Sequence, residues 1–153
     1  MNIDIDRTRD YYRTHSLCDC SCCRNLYAQI KERLPLLDKL LSEFGIDSAR
    51  PDEVGSTEEN DGIDYLFVSY TVCGKIESHG KYTLKLTDGD MPLEIVVGDY
   101  FVPNEQKGDY FVVGVYGIKL PWVLDEPFPI PVPAKSNFRE KIKVFFRKCI
   151  CKY

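Results

Sequence analysis

Residues 82–97 read YTLKLTDGDMPLEIVV. On both sides of the Asp88-Gly89 pair, apolar residues alternate with polar ones, and a period of two is that of a strand with one buried face. An Asp-Gly pair between two such runs is typical of a tight hairpin turn. This stretch therefore predicts an antiparallel hairpin. Its predicted inward face comprises Tyr82, Leu84, Leu86, Leu93, Ile95 and Val97.

Two further runs extend the hairpin into a sheet. Residues 63–73 (IDYLFVSYTVC) and 109–120 (DYFVVGVYGIKL) are dense in β-branched and aromatic residues, which favour strands. Short turns separate the runs, so we predict a four-stranded antiparallel meander over residues 63–120. Gly114 and Gly117 inside the last run predict a bulge, a bend or a close backbone approach.

Helices are predicted before this sheet. Residues 3–14 form a short helix that is opened by Asp4 or Asp6. Residues 23–44 form a longer helix with a break near Pro35, because proline removes a backbone donor inside a helix and is tolerated in a first turn. The apolar stripe of this helix, at spacings of three and four, comprises Leu26, Ile30, Leu34, Leu37, Leu41 and Phe44.

The remaining segments complete an α+β chain. Residues 46–62 are acidic and rich in turn-forming residues, which indicates a loop. Proline alternates with apolar residues in EPFPIPVPAK (126–135), so we predict an extended, proline-rich strap, and an amphipathic C-terminal helix follows it. We therefore expect a single domain over 1–153, with helices over 1–45, the acidic loop over 46–62, the sheet over 63–120, and the strap with the terminal helix over 121–153.

Charge is segregated along the chain. Residues 1–134 carry 13 basic and 23 acidic side chains, whereas residues 135–153 carry seven basic and one acidic. An acidic body argues against nucleic-acid binding, because phosphate contacts need clustered Lys and Arg, and it suits a basic protein partner. No apolar run approaches the ~20 residues of a membrane span, and the N-terminus lacks the layout of a secretory signal. We therefore expect a cytoplasmic protein.

Seven cysteines are the most unusual feature, and four of them fall in HSLCDCSCC (15–23). An odd number prevents complete pairing, and in a reducing cytoplasm cysteines are more often buried, metal-bound or redox-active than disulfide-bonded. Zinc takes four Cys or His ligands in a tetrahedron. The candidate zinc ligands are His15, Cys18, Cys20 and Cys23, with Cys149 and Cys151 as a second arm.

Two other interpretations of the cysteines remain open. Reduced cysteines often serve as small apolar core residues, and Cys23 continues the helical stripe toward Leu26. Alternatively, Cys20 and Cys23 form a C-x-x-C at a helix start, where the helix dipole and Arg24 favour the reactive thiolate. The thioredoxin-like version of this motif follows a strand, and none is predicted here.

No catalytic motif stands out. The chain contains two histidines, His15 and His79, and no nucleophile elbow, phosphate loop or dinucleotide fingerprint. Aromatic residues are enriched where proteins bind one another. The candidates for an exposed aromatic binding patch are Tyr70, Tyr100, Tyr110, Tyr116 and Trp122.

The N-terminal third resembles a group of small bacterial proteins, found especially in gut Firmicutes, in which a Tyr-Tyr pair precedes L-C-x-C-x-x-C-[RQ]-N-x-Y. The resemblance covers about the first 45 residues, and Cys22 stands where the group more often shows an aromatic residue. The group has no assigned activity, so the resemblance implies a bacterial origin and no reaction. The matching positions are Tyr11, Tyr12, Leu17, Cys18, Cys20, Cys23, Arg24, Asn25 and Tyr27.

Three functional hypotheses follow. The first is a non-enzymatic protein-binding module, such as an immunity or accessory protein of a bacterial toxin system, and the missing catalytic set favours it over an enzyme. The second is a small zinc-stabilised domain in which the cysteine cluster is structural. The third is a thiol-dependent redox enzyme that uses Cys20 and Cys23.

Overall fold

The computed structural model describes residues 1–77, 80–99 and 102–129. Three helices and seven strands occur in these residues, so the α+β class is confirmed for this part of the chain. The elements are β1 (Asn2–Ile3), α1 (Ile5–Thr14), α2 (Ser21–Arg33), α3 (Pro35–Glu43), β2 (Glu53–Glu59), β3 (Gly62–Lys75), β4 (Tyr82–Asp88), β5 (Met91–Gly98), β6 (Tyr110–Tyr116) and β7 (Ile118–Pro121).

Several sequence predictions lie outside the described residues. These are the strap beyond Pro129, the whole of the predicted terminal helix, and the residues His79, Tyr100, Cys149 and Cys151.

The predicted helices are present with their predicted boundary signals. Before α1, the Asp4 carboxylate accepts a hydrogen bond from the backbone N–H of Arg7 at 3.0 Å, which satisfies one of the unpaired donors at a helix start. The longer segment breaks where proline predicts. Leu34 leaves the helical conformation with φ −125° and ψ 62°, and Pro35 occupies the first turn of α3.

The apolar stripe of α2 and α3 forms the helical side of the core. Leu26, Ile30, Leu34, Leu37 and Leu41 are completely buried, as the spacing predicts. Burying one such side chain contributes roughly 1.5–3 kcal/mol, so this stripe holds the helices against the sheet. The sheet contributes the buried residues Ile63, Tyr65, Val68, Tyr70, Val72, Phe111, Val113, Val115, Ile118 and Leu120.

The sheet is antiparallel but differs from the predicted four-stranded meander. Its strand order is β1-β3-β6-β5-β4, and β2 and β7 also pair with β3, which gives seven strands in the described residues. Of the four predicted strands, only β4, β5 and β6 pair with their neighbours in chain order. The long β3 instead pairs with β6, from Val68↔Val115 to Cys73↔Tyr110. Turn signals report chain reversals, and they do not report which distant strands become neighbours.

The predicted acidic loop over 46–62 contains a strand. β2 pairs with β3, from Glu53↔Ser69 to Glu59↔Gly62, and the connection turns at Asn60, which has a positive φ of 35°. Val54 and Ser56 are buried, whereas Glu59 is exposed. The strand was missed because its composition is polar, although the Asn-Asp-Gly run at 60–62 is a turn signal between two strands.

The last predicted strand divides at Gly117 into β6 and β7. Gly117 has a φ of +93°, and a Cβ added there would lie 2.7 Å from the carbonyl oxygen of Pro92. The predicted bend with a close backbone approach is therefore confirmed at this glycine. Gly114 instead lies within β6, opposite Ser69 on one side and Val96 on the other.

Side chains cap the open edge of β3. The carbonyl of Thr71 accepts a hydrogen bond from the Tyr12 hydroxyl at 2.8 Å, and the N–H of Cys73 donates to Thr8 Oγ1 at 3.0 Å. The N–H of Thr71 donates to the Asp52 carboxylate at 2.7 Å. Unpaired strand edges attract other chains, so these bonds both fix α1 and close the edge.

The outermost strand is less buried than its alternation predicts. Tyr82 and Leu84 are 47% and 49% exposed, because the described helices do not reach across β4. The contact with the helical layer is at the end of β4, where the Asp88 carboxylate accepts a hydrogen bond from the N–H of Leu37 at 2.8 Å. The Asp-Gly turn therefore also caps the start of α3.

Candidate metal centre

The cysteine segment connects α1 to α2. Cys20 is the N-cap residue of α2, with an extended conformation (φ −63°, ψ 154°), and Cys23 lies in the first turn. The side chain of Cys20 makes no N-cap hydrogen bond to the described residues of this helix start, and the first turn contains no acidic residue. The unpaired N–H groups of a helix start carry partial positive charge, so this end of α2 is suited to negative ligands.

Three sulfur atoms converge at this point. The Sγ atoms of Cys18, Cys20 and Cys23 all lie within 4.8 Å of one another. Sulfur atoms bound to one tetrahedral zinc at about 2.3 Å are separated by about 3.8 Å, so small side-chain rotations would bring this group to binding distance. Cys18 and Cys20 are half-buried and Cys23 is 1% exposed, which leaves the group open on one side.

Hydrogen bonds hold the backbone around the cluster in a conformation that suits anionic sulfur atoms. The N–H of Cys20 donates to Cys18 Sγ at 3.4 Å, so the tight turn between them is closed by a hydrogen bond to a ligand atom. Arg24 holds the same turn, because its Nε donates to the carbonyl of Asp19 at 2.7 Å. The Arg24 guanidinium also pairs with Glu126 at 2.9 Å. These bonds fasten the turn at Cys18–Cys20 to the first turn of α2.

Cys22 points away from the three-sulfur group. It is buried on the sheet side of α2, where its thiol bonds to Ser56, and the burial raises the pKa of this thiol. Its carbonyl accepts a hydrogen bond from the Tyr65 hydroxyl at 2.7 Å. Because each residue turns a helix by 100°, the neighbouring Cys22 and Cys23 in the first turn of α2 face different surroundings. Cys22 is therefore a core residue and a matched control for Cys23.

His15 is not a member of the three-sulfur group. Its ring stacks on Tyr11, with centroids 4.9 Å apart, and meets Tyr12 edge-on at 5.1 Å. The side chain is 3% exposed, and neither ring nitrogen has a hydrogen-bond partner among the described residues. Its role as a metal ligand stays a prediction, as do the roles of Cys149 and Cys151, which lie outside the described residues.

The residues of the predicted aromatic patch are distributed over core and surface. Tyr70 is completely buried, and its hydroxyl donates to the carbonyl of Ser48 at 2.7 Å, so it belongs to the core. Tyr116 is 39% exposed and Tyr110 is half-buried. Trp122 is half-buried, and its Nε1 donates to the carbonyl of Glu126 at 2.9 Å. A binding role for the aromatic residues therefore stays a prediction.

A buried polar network was missed by the sequence reasoning. Asp52 is 2% exposed, and its carboxylate accepts from the Tyr11 hydroxyl and from the N–H of Thr71. Burial is the largest cause that raises the pKa of Asp52, and it also raises the pKa of Tyr11 above its ordinary value. Asp52 follows Pro51 in an acidic segment, so its sequence resembles that of a surface turn. No neighbouring residue in the sequence marks Asp52 as a buried carboxylate rather than a surface one.

No protein-family model matches the chain, and no curated protein or solved structure is significantly similar to it. None of the described helices has both the length and the apolar character that crossing a bilayer requires.

Proposed function

We propose that this protein is a small metal-stabilised domain in which Cys18, Cys20 and Cys23 hold one zinc ion. The observation that carries the proposal is the convergence of three Sγ atoms within 4.8 Å at the start of α2. Thiolate ligands favour zinc and other soft metals over magnesium or calcium. Three thiolates on a divalent ion give a centre with one net negative charge, which the positive end of α2 stabilises.

A tetrahedral structural site needs one more ligand. The sequence offers Cys149 and Cys151 for this position, and His15 as the third candidate. A zinc ion at this site would fasten the α1–α2 connection to the start of α2. Because metal-binding free energy appears as folding free energy, the ion would stabilise the N-terminal helices against the sheet.

Cobalt substitution tests this proposal. A Co²⁺ ion bound to three or four thiolates in a tetrahedral site gives sulfur-to-cobalt charge-transfer bands in the near ultraviolet and intense visible bands. We expect these bands for the full chain, and we expect Cys23→Ser to abolish them while Cys22→Ser retains them. Equal spectra for Cys23→Ser and Cys22→Ser would contradict the assignment.

Paired variants identify the fourth ligand. If the second arm supplies it, the double change Cys149→Ser with Cys151→Ser weakens cobalt binding and lowers the intensity of the charge-transfer bands. If His15 supplies it, His15→Gln has this effect. Retention of the full spectrum in both variants would indicate a solvent molecule as the fourth ligand.

Thiol redox chemistry is the second candidate function for the same cysteines. Cys20 is the N-cap of α2 and Cys23 lies one turn further, and this C-x-x-C position at a helix start favours a reactive thiolate. Here α1 precedes the motif rather than a strand. A redox role needs Cys20 and Cys23 and not Cys18, so loss of cobalt binding in Cys18→Ser separates the two candidates.

We also propose that the protein acts by binding another protein, as an immunity or accessory protein of a bacterial toxin system would. The excess of acidic side chains in residues 1–134 supports a basic partner. The exposed aromatic ring of Tyr116, which is 39% exposed, supports a binding surface on its face of the sheet. Co-expression with the product of a neighbouring gene tests this, and we expect the two chains to co-purify in a salt-dependent manner. Separate elution at low salt would count against this partner.

A further inference from the structure

A cleft between α1 and the end of α3 lies apart from the cysteine cluster. Its volume is about 500 Å³, which is in the size range of small-molecule sites. α1 contributes Arg9, Tyr12 and Arg13, whereas Lys31 comes from α2 and Arg50 from the connection between α3 and β2.

The cleft concentrates positive charge on an acidic protein. Four basic and two acidic residues line it, which leaves an excess of two positive charges. Residues 1–134 as a whole carry 13 basic and 23 acidic side chains, so four of those 13 basic groups meet at this one cleft. A dianion would balance the local excess.

The two acidic lining residues are already engaged. Asp38 accepts a hydrogen bond from the Ser48 hydroxyl. Asp47 pairs with Lys31 at 2.9 Å and also accepts from the N–H of Ala49 at 3.1 Å. The Asp47 pair neutralises Lys31, whereas the Ser48 bond orients the Asp38 carboxylate without neutralising it; neither bond uses the arginines.

Arg9 and Arg13 are one helical turn apart on the face of α1 that lines the cleft. Like charges at this spacing destabilise a helix slightly, and a shared anion would remove that cost. Their present partners are exposed to solvent, which keeps such pairs weak: Asp6 is 94% exposed and lies 3.7 Å from Arg9, and Asp10 is 68% exposed and lies 2.6 Å from Arg13. Both guanidinium groups can therefore turn to a ligand at small cost.

Arg50 has an unsatisfied donor in the cleft wall. Its Nη2 donates to the carbonyl of His15 at 3.0 Å, which fixes the guanidinium at the end of α1, while its buried Nε has no hydrogen-bond partner among the described residues. No described carboxylate lies within ion-pair distance of Arg50. A buried donor without an acceptor is uncommon in proteins, and a ligand oxygen would satisfy it once the Arg50 side chain turned further into the cleft.

We propose that this cleft binds the phosphoryl group of a small phosphate monoester. Such a group carries nearly two negative charges at neutral pH and accepts several hydrogen bonds. Guanidinium groups suit these oxygens because their planar N–H donors match oxyanions in pairs. The volume of the cleft exceeds that of a phosphoryl group, so the organic part of the ligand occupies the remainder, next to the Tyr12 ring.

Two-dimensional amide NMR tests this proposal. The full chain is titrated at constant ionic strength with inorganic phosphate and, separately, with glycerol phosphate. We expect saturable shifts at the amides around the cleft, with tighter binding of the monoester. Arg50→Gln should weaken binding at least about tenfold, because it removes a charge-assisted contact. Arg13→Gln, at an exposed position, should weaken it without affecting the fold.

Arg33→Gln is the matched control, since Arg33 lies in the last turn of α2 and does not line the cleft. It removes the same charge and should leave both affinities within about twofold of the original, because distant surface charges are screened. Equal weakening in Arg13→Gln and Arg33→Gln, or shifts that rise linearly without saturation, would overturn the proposal. Saturable binding of inorganic phosphate without any preference for the monoester would overturn its monoester part.

Discussion

Replacement of Asp52 by alanine should destabilise the protein strongly. The carboxylate is 2% exposed and accepts hydrogen bonds from the Tyr11 hydroxyl and the Thr71 N–H. Alanine leaves both donors buried without an acceptor, and each unsatisfied donor costs about 1–3 kcal/mol. Burial of the carboxylate itself is unfavourable, as the raised pKa of Asp52 indicates, and removing it offsets part of this cost. We therefore expect a loss of roughly 2–4 kcal/mol.

Urea unfolding at neutral pH measures this loss, with Asp52→Asn as the control. Asparagine keeps one acceptor oxygen and the shape of the side chain, so it should lose about half as much stability as alanine. Tyr11→Phe removes one of the two donors, and the double variant with Asp52→Ala should show a coupling of about 1 kcal/mol or more. A loss below about 1 kcal/mol for Asp52→Ala would refute the reasoning that this network holds α1 to the sheet.

Further predictions concern pH, two glycines and the thiols. Burial raises the pKa of Asp52, so the folded state binds the proton of this carboxyl more tightly than the unfolded state does. The unfolding free energy of the original protein relative to Asp52→Asn should therefore fall as pH rises from about 4 through the folded-state pKa of Asp52. A difference that stays constant with pH would contradict this prediction. Gly89→Ala should cost about 1 kcal/mol of stability because Gly89 has a positive φ of 64°. Gly45→Ala should cost at least about 1 kcal/mol more, because its added Cβ would also lie 2.7 Å from a carbonyl oxygen of α1. Equal losses in urea unfolding would show that the backbone relaxes away from this close approach. In metal-free protein, an alkylating reagent should modify Cys18 at least about tenfold faster than Cys22, because Cys22 is buried and its thiol pKa is raised. Mass spectrometry of timed samples measures both rates, and equal rates would contradict the different surroundings of the two thiols.

The helical half of the fold could be predicted because its determinants are local. Asp4 and Pro35 act on the residues next to them, and the stripe from Leu26 to Leu41 follows from one repeated spacing. Each of these signals lies within a few turns of the structure that it specifies. Local periodicity and capping therefore suffice for the helices.

The sheet could be predicted strand by strand but not in its order. The hairpin at Asp88-Gly89 is local, whereas the pairing of β3 with β6 joins residues about 40 positions apart. β2 escaped prediction because Val54 is its one buried aliphatic residue and the rest of its sequence resembles a loop. Long-range pairing depends on which faces must be buried together, and a single sequence does not report it.

The candidate metal centre could be predicted in part. The spacing of Cys18, Cys20 and Cys23 indicates a shared site, and the structure brings their sulfur atoms together. The different position of Cys22 follows from the helical rotation once the start of α2 at Ser21 is known. The aromatic environment of His15 depends on how α1 packs, so its sequence distance from the cysteines was a poor guide to its position.

The most direct test of the metal centre is the zinc content of the full chain, purified without an affinity tag and measured by native mass spectrometry with elemental analysis. We predict one zinc ion per chain, retained in Cys22→Ser and lost in Cys20→Ser and Cys23→Ser. Protein that contains no zinc and takes up none from a stoichiometric addition would contradict the account. So would zinc content that is the same in all three variants.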